Sequence, residues 1–335
     1  MLPATEQADP TCGALLNAER NAQAKILERA SWLRAKRLDQ LHGFKRLPMK
    51  AFQAAMLMAP YYPCFWTLKK DPSVRHLFDG GKWLCGTEEL STASSPCVVY
   101  SFGSNYNTMF EDHIHKASRG SCEFFIFDPT MAVTKSQADL DRWRASLPKN
   151  YHFFETAVTG NSALTNVSFS SVYGGGKKSY PTTTLDEAMR ANGHASATIL
   201  KFDIDGFEHE LLRSAPWSHL RFGLILFEVH AVQHVAGSGK KPQPLLFQDA
   251  HRAFGRLERA GYRMYSAEPV YVGPNGQGAG AWEVAFVHRD WSPRSAFLAE
   301  PCPNITRPWP WWAWDEGAWD DDDNHAERPH GNVTR

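Results

Sequence analysis

Cys97-Val98-Val99-Tyr100-Ser101-Phe102-Gly103-Ser104-Asn105-Tyr106-Asn107 is the stretch whose reading decides the fold. Its first half is apolar without alternation, as a strand covered on both faces must be, and its second half is a short polar turn opening at a glycine. Thr108 to Ala117 continues as a helix, so strand, turn and helix make half of a βαβ unit. The unit recurs downstream. Cys122 to Phe127 reads as a second strand, Tyr151 to Val158 as a third, and Thr198 to Phe202 as a fourth between helices at Leu185 to Ala191 and Glu208 to Ser214. Leu224 to Val229 is a fifth, followed by a helix over Gln248 to Ala260. Gly261 to Tyr265 and Trp282 to Val287 then follow with no helix between them, and a parallel pair would need a crossover of about a dozen residues or more, so this pair is expected to be antiparallel. The expected fold is a doubly wound, Rossmann-like α/β domain: a seven-stranded, mostly parallel sheet with an antiparallel last strand, preceded by an N-terminal helical extension.

Outward from this core, Leu15, Ala22, Ile26, Leu27, Ala30, Leu33, Leu38 and Leu41 recur at three- and four-residue steps, which predicts an amphipathic helix over 14–41. A helix packed on the domain is the plain expectation. Its basic residues Arg34, Lys36 and Arg37 leave a stalk, a coiled coil or a membrane-surface helix as alternatives. Pro60, Pro63 and Pro72 end the periodicity in a loop-rich connector. After Pro301 the chain turns to Trp309-Pro310-Trp311-Trp312-Ala313-Trp314 and then to Asp320 through Asp323. The expected division is therefore an extension over 1–80, the domain over 81–292, and a Trp-rich, acidic tail over 293–335, with the indoles wrapped on the domain or presented to a glycan or protein.

Lys plus Arg and Asp plus Glu each number 36, so the basic excess that marks a nucleic-acid binder is missing. No apolar run is long enough to span a bilayer, and the chain as given reads as soluble and cytoplasmic. A secretory lumen is the alternative if an N-terminal anchor precedes it, because Asn166-Val167-Ser168, Asn304-Ile305-Thr306 and Asn332-Val333-Thr334 are glycosylation acceptor triplets. The six cysteines form neither a C-x-x-C pair nor a zinc-finger spacing, and the sequence leaves open whether they pair.

In open α/β sheets ligands bind at the carboxyl ends of the strands, which makes the Ser101 to Asn107 turn the first candidate site. Gly103 allows close backbone approach, and Ser104 and Asn105 offer polar groups. The single glycine is not the G-x-G-x-x-G fingerprint that holds a pyrophosphate, which argues against a nicotinamide enzyme. Asp128, followed by Pro129, closes the second strand at about the spacing at which an acid meets ribose hydroxyls. Alternation along Lys201-Phe202-Asp203-Ile204-Asp205 places Lys201, Asp203 and Asp205 on one side, with Gly206 turning into a helix whose first turn carries Glu208. Glu228 and His230 share a face at the end of the fifth strand. Asp203 or His230 is the expected general base, and Glu228 and Lys201 the groups that orient an acceptor. No metal is required, although Asp203, Asp205 and Glu228 carry the oxygen ligands that Mg²⁺ takes.

Four segments in this order, Cys97 to Gly103, Phe127-Asp128-Pro129-Thr130, Lys201 to Glu208 and Phe227-Glu228-Val229-His230, resemble the FkbM-related, methyltransferase-like family over roughly residues 80–289. The resemblance implies a class I methyltransferase using S-adenosyl-L-methionine, with Ser101, Phe102, Gly103, Ser104, Asn105, Asp128, Pro129 and Asp203 around the cofactor. It further implies a reaction site bordered by Lys201 to Glu208, and O-methylation of a hydroxyl on a small molecule or glycan. A catalytically silent binding module that retains the fold is the alternative.

Overall fold

Seven strands hydrogen-bond into one sheet in the computed structural model, which describes residues 10–35, 58–71, 81–105, 107–130, 136–169, 178–233, 243–271, 279–294 and 296–297. In chain order the elements are α1 (Cys12–Ala35), β1 (Leu68–Lys70), β2 (Trp83–Cys85), β3 (Cys97–Phe102), α2 (Met109–Ala117), β4 (Cys122–Phe127), α3 (Gln137–Ser146), β5 (Tyr151–Phe154) and β6 (Ala157–Val158). There follow β7 (Asn166–Phe169), β8 (Lys178–Thr183), α4 (Leu185–Ala191), β9 (Ser196–Phe202), α5 (Glu208–Ser214), β10 (Arg221–His230), β11 (Val232–Gln233), β12 (Gln243–Pro244), α6 (Phe247–Arg259), β13 (Tyr262–Tyr271) and β14 (Ala279–His288).

The sheet order is β13-β14-β10-β9-β3-β4-β5. β3 pairs in parallel with both β4 and β9, and β14 runs antiparallel to β10 and to β13. The chain starts in the middle, winds outward through β4 and β5, then crosses back to β9 and β10. The order therefore reverses between β3 and β9, and that reversal opens the crevice where doubly wound sheets bind ligands.

Alternation along the strands divides the core. Tyr100, Phe102, Phe127, Phe202, Phe227 and Phe286 face α4, α5 and α6, whereas Val99, Phe124, Ile126, Ile199 and Leu226 face α2, with Trp66 and Leu84 of the N-terminal segment packed behind them. The first layer is a ladder of stacked rings: Phe102 on Phe127 at 4.9 Å, Phe127 on Phe154 at 4.5 Å, Phe202 on Phe227 at 4.7 Å. Each fully buried ring of this kind contributes roughly 1.5–3 kcal/mol.

α1 lies on the domain. Its Leu15, Ala18, Ala22 and Ile26 are buried, and two ion pairs clamp it: Glu19 to Arg263 on β13, and Arg29 to Glu258 on α6 at 2.6 Å. Tyr61 donates its hydroxyl to the same Glu258 at 2.6 Å. No described helix is long and apolar enough to cross a membrane.

Three features depart from the expected pattern. α3 carries a polar sequence in which only Leu140 is buried, so periodicity misses it, although Ser136 caps it by accepting from the Asp139 amide. The expected third strand breaks after Phe154: β5 joins the main sheet, while β6 pairs with β8 in a separate three-stranded sheet, β6-β8-β7. The cysteines do pair, Cys64 with Cys85 and Cys97 with Cys122, and Cys12 is disulfide-bonded as well. The Trp-rich stretch and the run of aspartates lie outside the described residues.

Candidate active site

Gly103 follows β3 with a φ of +79°, and its amide donates to the Phe127 carbonyl at 3.0 Å. A Cβ at this position would lie 1.8 Å from the backbone oxygen of Asp203, so the turn and the end of β9 meet where only glycine fits. Asn105 also takes a left-handed conformation, φ +46°. Asp128 organises this turn. Its carboxylate accepts from the amides of Ser104 (2.8 Å) and Asn105 (2.6 Å), and from the amide (2.8 Å) and hydroxyl (2.6 Å) of Thr130. A carboxylate has about four acceptor positions, and at 2% exposure Asp128 spends them inside the protein. It shapes the turn before it can meet any ribose. Among the other residues expected at the cofactor, Phe102 is 1% exposed within the ring ladder and Ser101 is buried with its hydroxyl on Glu111, and both are paired in the sheet on either side. Gly103, Ser104 and Asn105 form the turn itself, and Pro129 lies half-buried beside it.

Beyond β9 the chain leaves extended geometry. Asp205 has a φ of +54° and a side chain 93% exposed, so it does not share a face with Lys201 and Asp203 as alternation predicted. Glu208 dictates the bend, its carboxylate accepting from the amides of Ile204 (2.8 Å) and Gly206 (2.9 Å) and from Nδ1 of His230 (3.1 Å). Lys201 donates to the Gly103 carbonyl, tying β9 to the turn.

Beside these residues lie two that sequence reasoning missed. Lys82, just before β2, places its Nζ 2.6 Å from Glu283 and 3.2 Å from Asp203. Glu283 sits directly opposite Glu228 in the β10–β14 register. Facing carboxylates repel, and here an ammonium stands among them. The available signals were an isolated acid in an apolar strand, Trp282-Glu283-Val284, and a lysine following Gly80-Gly81.

The charges divide unevenly. Burial pushes Glu228 up to about 8, helped by Asp203, and pushes Glu283 up to about 7 against the pull of Lys82. Burial also works on Asp203, but Lys82, Lys201 and His230 hold it well below the usual carboxylate range. For His230 the bond to Glu208 and the neighbouring Glu228 outweigh burial and raise it to about 9. Two sets, Asp203 with Glu208 and His230, and Asp203 with Glu228 and Glu283, bring possible metal-ligand atoms within 4.8 Å of one another. In the second set Lys82 supplies the positive charge, and in the first the His230–Glu208 bond takes two of the three groups.

The sequence matches the family model for the methyltransferase domain over residues 36–287, most of its length, and the chain belongs to that family. No curated protein matches it. Solved structures similar to it include a SAM-dependent methyltransferase from Aquifex aeolicus (9% identity, 60% of this chain and 86% of that one, TM-score 0.30). Two others are precorrin-6y C5,15-methyltransferase from Geobacter metallireducens (10%, 60% and 84%, 0.30) and M. capricolum TrmK in complex with S-adenosyl-homocysteine (7%, 64% and 71%, 0.32).

Proposed function

We propose that this chain is an S-adenosylmethionine-dependent methyltransferase acting on a hydroxyl of a small molecule or glycan, the acceptor class implied by its resemblance to the FkbM-related family. The observation that carries the cofactor is the glycine turn at the sheet's switch point, packed against Asp203 and rimmed by Asp128, Asp205, Glu208 and Glu228. A surplus of carboxylates suits a cationic sulfonium and repels a pyrophosphate. The two lysines nearby are already engaged, Lys82 with acids and Lys201 with the Gly103 carbonyl. The backbone of Gly103 to Asn105, the Asn105 side chain and the Asp128-Pro129 wall would hold the cofactor, with Asp203 at its edge.

When bound, the cofactor supplies an electrophilic methyl group for in-line displacement. What the protein contributes is chiefly alignment, worth around 7–11 kcal/mol, against a hundredfold to ten-thousandfold for a general base. The local electrostatics redistribute the expected roles. Asp203, held ionised by two lysines, is a weak base, and His230, held protonated against Glu208, has no lone pair to offer at neutral pH. Glu228, with its carboxyl near 8 and His230 Nε2 at 3.7 Å, becomes the available base as the pH rises through about 8, before His230 loses its proton, while Asp203 and His230 position the acceptor.

Calorimetry with S-adenosylhomocysteine tests the cofactor: binding is expected and should be lost in Gly103→Ala. No heat at millimolar ligand would favour the silent binding module. A cell extract incubated with labelled methyl donor and read by mass spectrometry identifies the acceptor, and label on nitrogen or carbon alone would reject O-methylation.

A further inference from the structure

We infer that Asn166 is an N-glycosylation site and that the chain folds in an oxidising, secretory compartment. This rests on observations independent of the methyl-transfer site.

The first is the state of the cysteines. Among the described residues none is a free thiol. Cys97 and Cys122 are the opening residues of β3 and β4, directly opposite in register, with Cα atoms 4.4 Å apart. They sit at the amino ends of the strands, away from the candidate active site, so this bond serves no chemistry there. Cys64 and Cys85 tie the connector to β2, the strand that Lys82 precedes. Buried structural bridges of this kind persist where the surroundings are oxidising and are rare in the cytosol.

The second is where the acceptor triplet falls. Asn166-Val167-Ser168 opens β7, an outer strand of the β6-β8-β7 sheet. Strand alternation turns Val167 inward, 7% exposed, and leaves Asn166 and Ser168 exposed on the same outward face. Among the described residues the side-chain amide of Asn166 bonds to the neighbouring Thr165 hydroxyl, at 3.3 Å, so there a glycan displaces a local bond and not a tertiary one. An outer strand offers unpaired backbone to other chains, and a bulky polar glycan on it would block edge-to-edge pairing. The triplets at Asn304 and Asn332 lie outside the described residues.

The donor is a lipid-linked oligosaccharide diphosphate. Nδ2 of Asn166 forms a bond to the anomeric carbon of the first sugar and gives up one proton, the bond from that carbon to the diphosphate oxygen breaks, and the lipid diphosphate leaves.

The full chain, directed to the endoplasmic reticulum of a eukaryotic cell, is digested with peptide-N-glycosidase in heavy-oxygen water. Asn166 is expected as labelled aspartate, and Asn166→Gln and Ser168→Ala should each remove one glycan's mobility shift, while Ser168→Thr retains it. Site mapping on the unsubstituted chain needs no variant to fold, and recovery of unmodified Asn166 overturns the site. Alkylation of the protein from its own cells, denatured without reductant, tests the compartment: Cys64, Cys85, Cys97 and Cys122 should resist the reagent. Labelled Cys97 and Cys122 would overturn the oxidising assignment.

Discussion

Two buried charge clusters in this molecule look alike in composition and behave in opposite ways. Where α1 docks, Glu19 and Glu258 meet Arg263 and Arg29, acid matched to base. Burial opposes the charges of Glu19, Arg29 and Arg263, yet the pairing drives Glu19 down and both arginines up, so these three are held ionised. At the strand ends Lys82 pairs with Asp203 and Glu283 while Glu228 lies beside them, and Glu228 and Glu283 are pushed towards neutrality instead. Matched pairs hold an element in place. Surplus carboxyls leave protons poised to move near neutral pH, which is what acid–base chemistry needs and what pure stability does not.

The comparison breaks most readily through the general base. Glu228→Gln keeps the shape and removes the titration, and a loss of about a hundredfold to ten-thousandfold in single-turnover methyl transfer is expected. The unsubstituted protein should show a kcat/KM rising with pH through about 8, and the variant should lack that limb. A wild-type rate in the variant would remove Glu228 from the chemistry.

Arg263→Ala removes the bidentate partner of buried Glu19 and leaves it Arg289 at 3.5 Å and the Gln23 amide, and removing one partner of a buried pair costs about 3–5 kcal/mol, to be read by denaturant titration. Methyl transfer per folded molecule should be unchanged, because this cluster only docks α1. A smaller effect is expected from Gly103→Ala. A left-handed alanine costs roughly 1–2 kcal/mol before the clash with Asp203 is relieved, so modest destabilisation should accompany complete loss of S-adenosylhomocysteine binding.

The smallest effect is the most discriminating. Glu19, lowered from 4.5, contributes stability that is present above that value and lost as the pH falls through its folded pKa. Glu228 and His230 are raised, so their contributions are complete below 4.5 and 6.5 and disappear as the pH rises through about 8 and 9. The docking cluster should therefore govern the acid limb of the stability curve and the strand-end cluster the alkaline limb. His230→Gln should flatten only the alkaline side. Flattening on the acid side would mean that the two clusters are not separable.

Much of the fold was legible because the major strands are dominated by apolar runs, as a sheet covered on both faces demands, and because two strands without an intervening helix must pair antiparallel. α3 was hidden by its polar sequence, and the β5–β6 break by two strands reading as one run. At the site, Gly103, Lys201, Asp203, Glu228 and His230 could be nominated because each closes a strand. Lys82 could not, since the chain brings it to Asp203 only by crossing the ends of strands far away in sequence.

The sequence by itself determined the strand pattern, the turn at Gly103 and the set of acids available, because these follow from local periodicity and from backbone angles that few residues accept. Only the tertiary structure decided what those acids do. Asp128 was drawn into its own turn, Asp203 was held ionised between two lysines, and Glu228 was pushed up to about 8 by burial and by Asp203 beside it. A carboxyl's affinity for a proton is set by burial and by the charges that folding brings beside it, and neither is written in the residue's own neighbourhood along the chain.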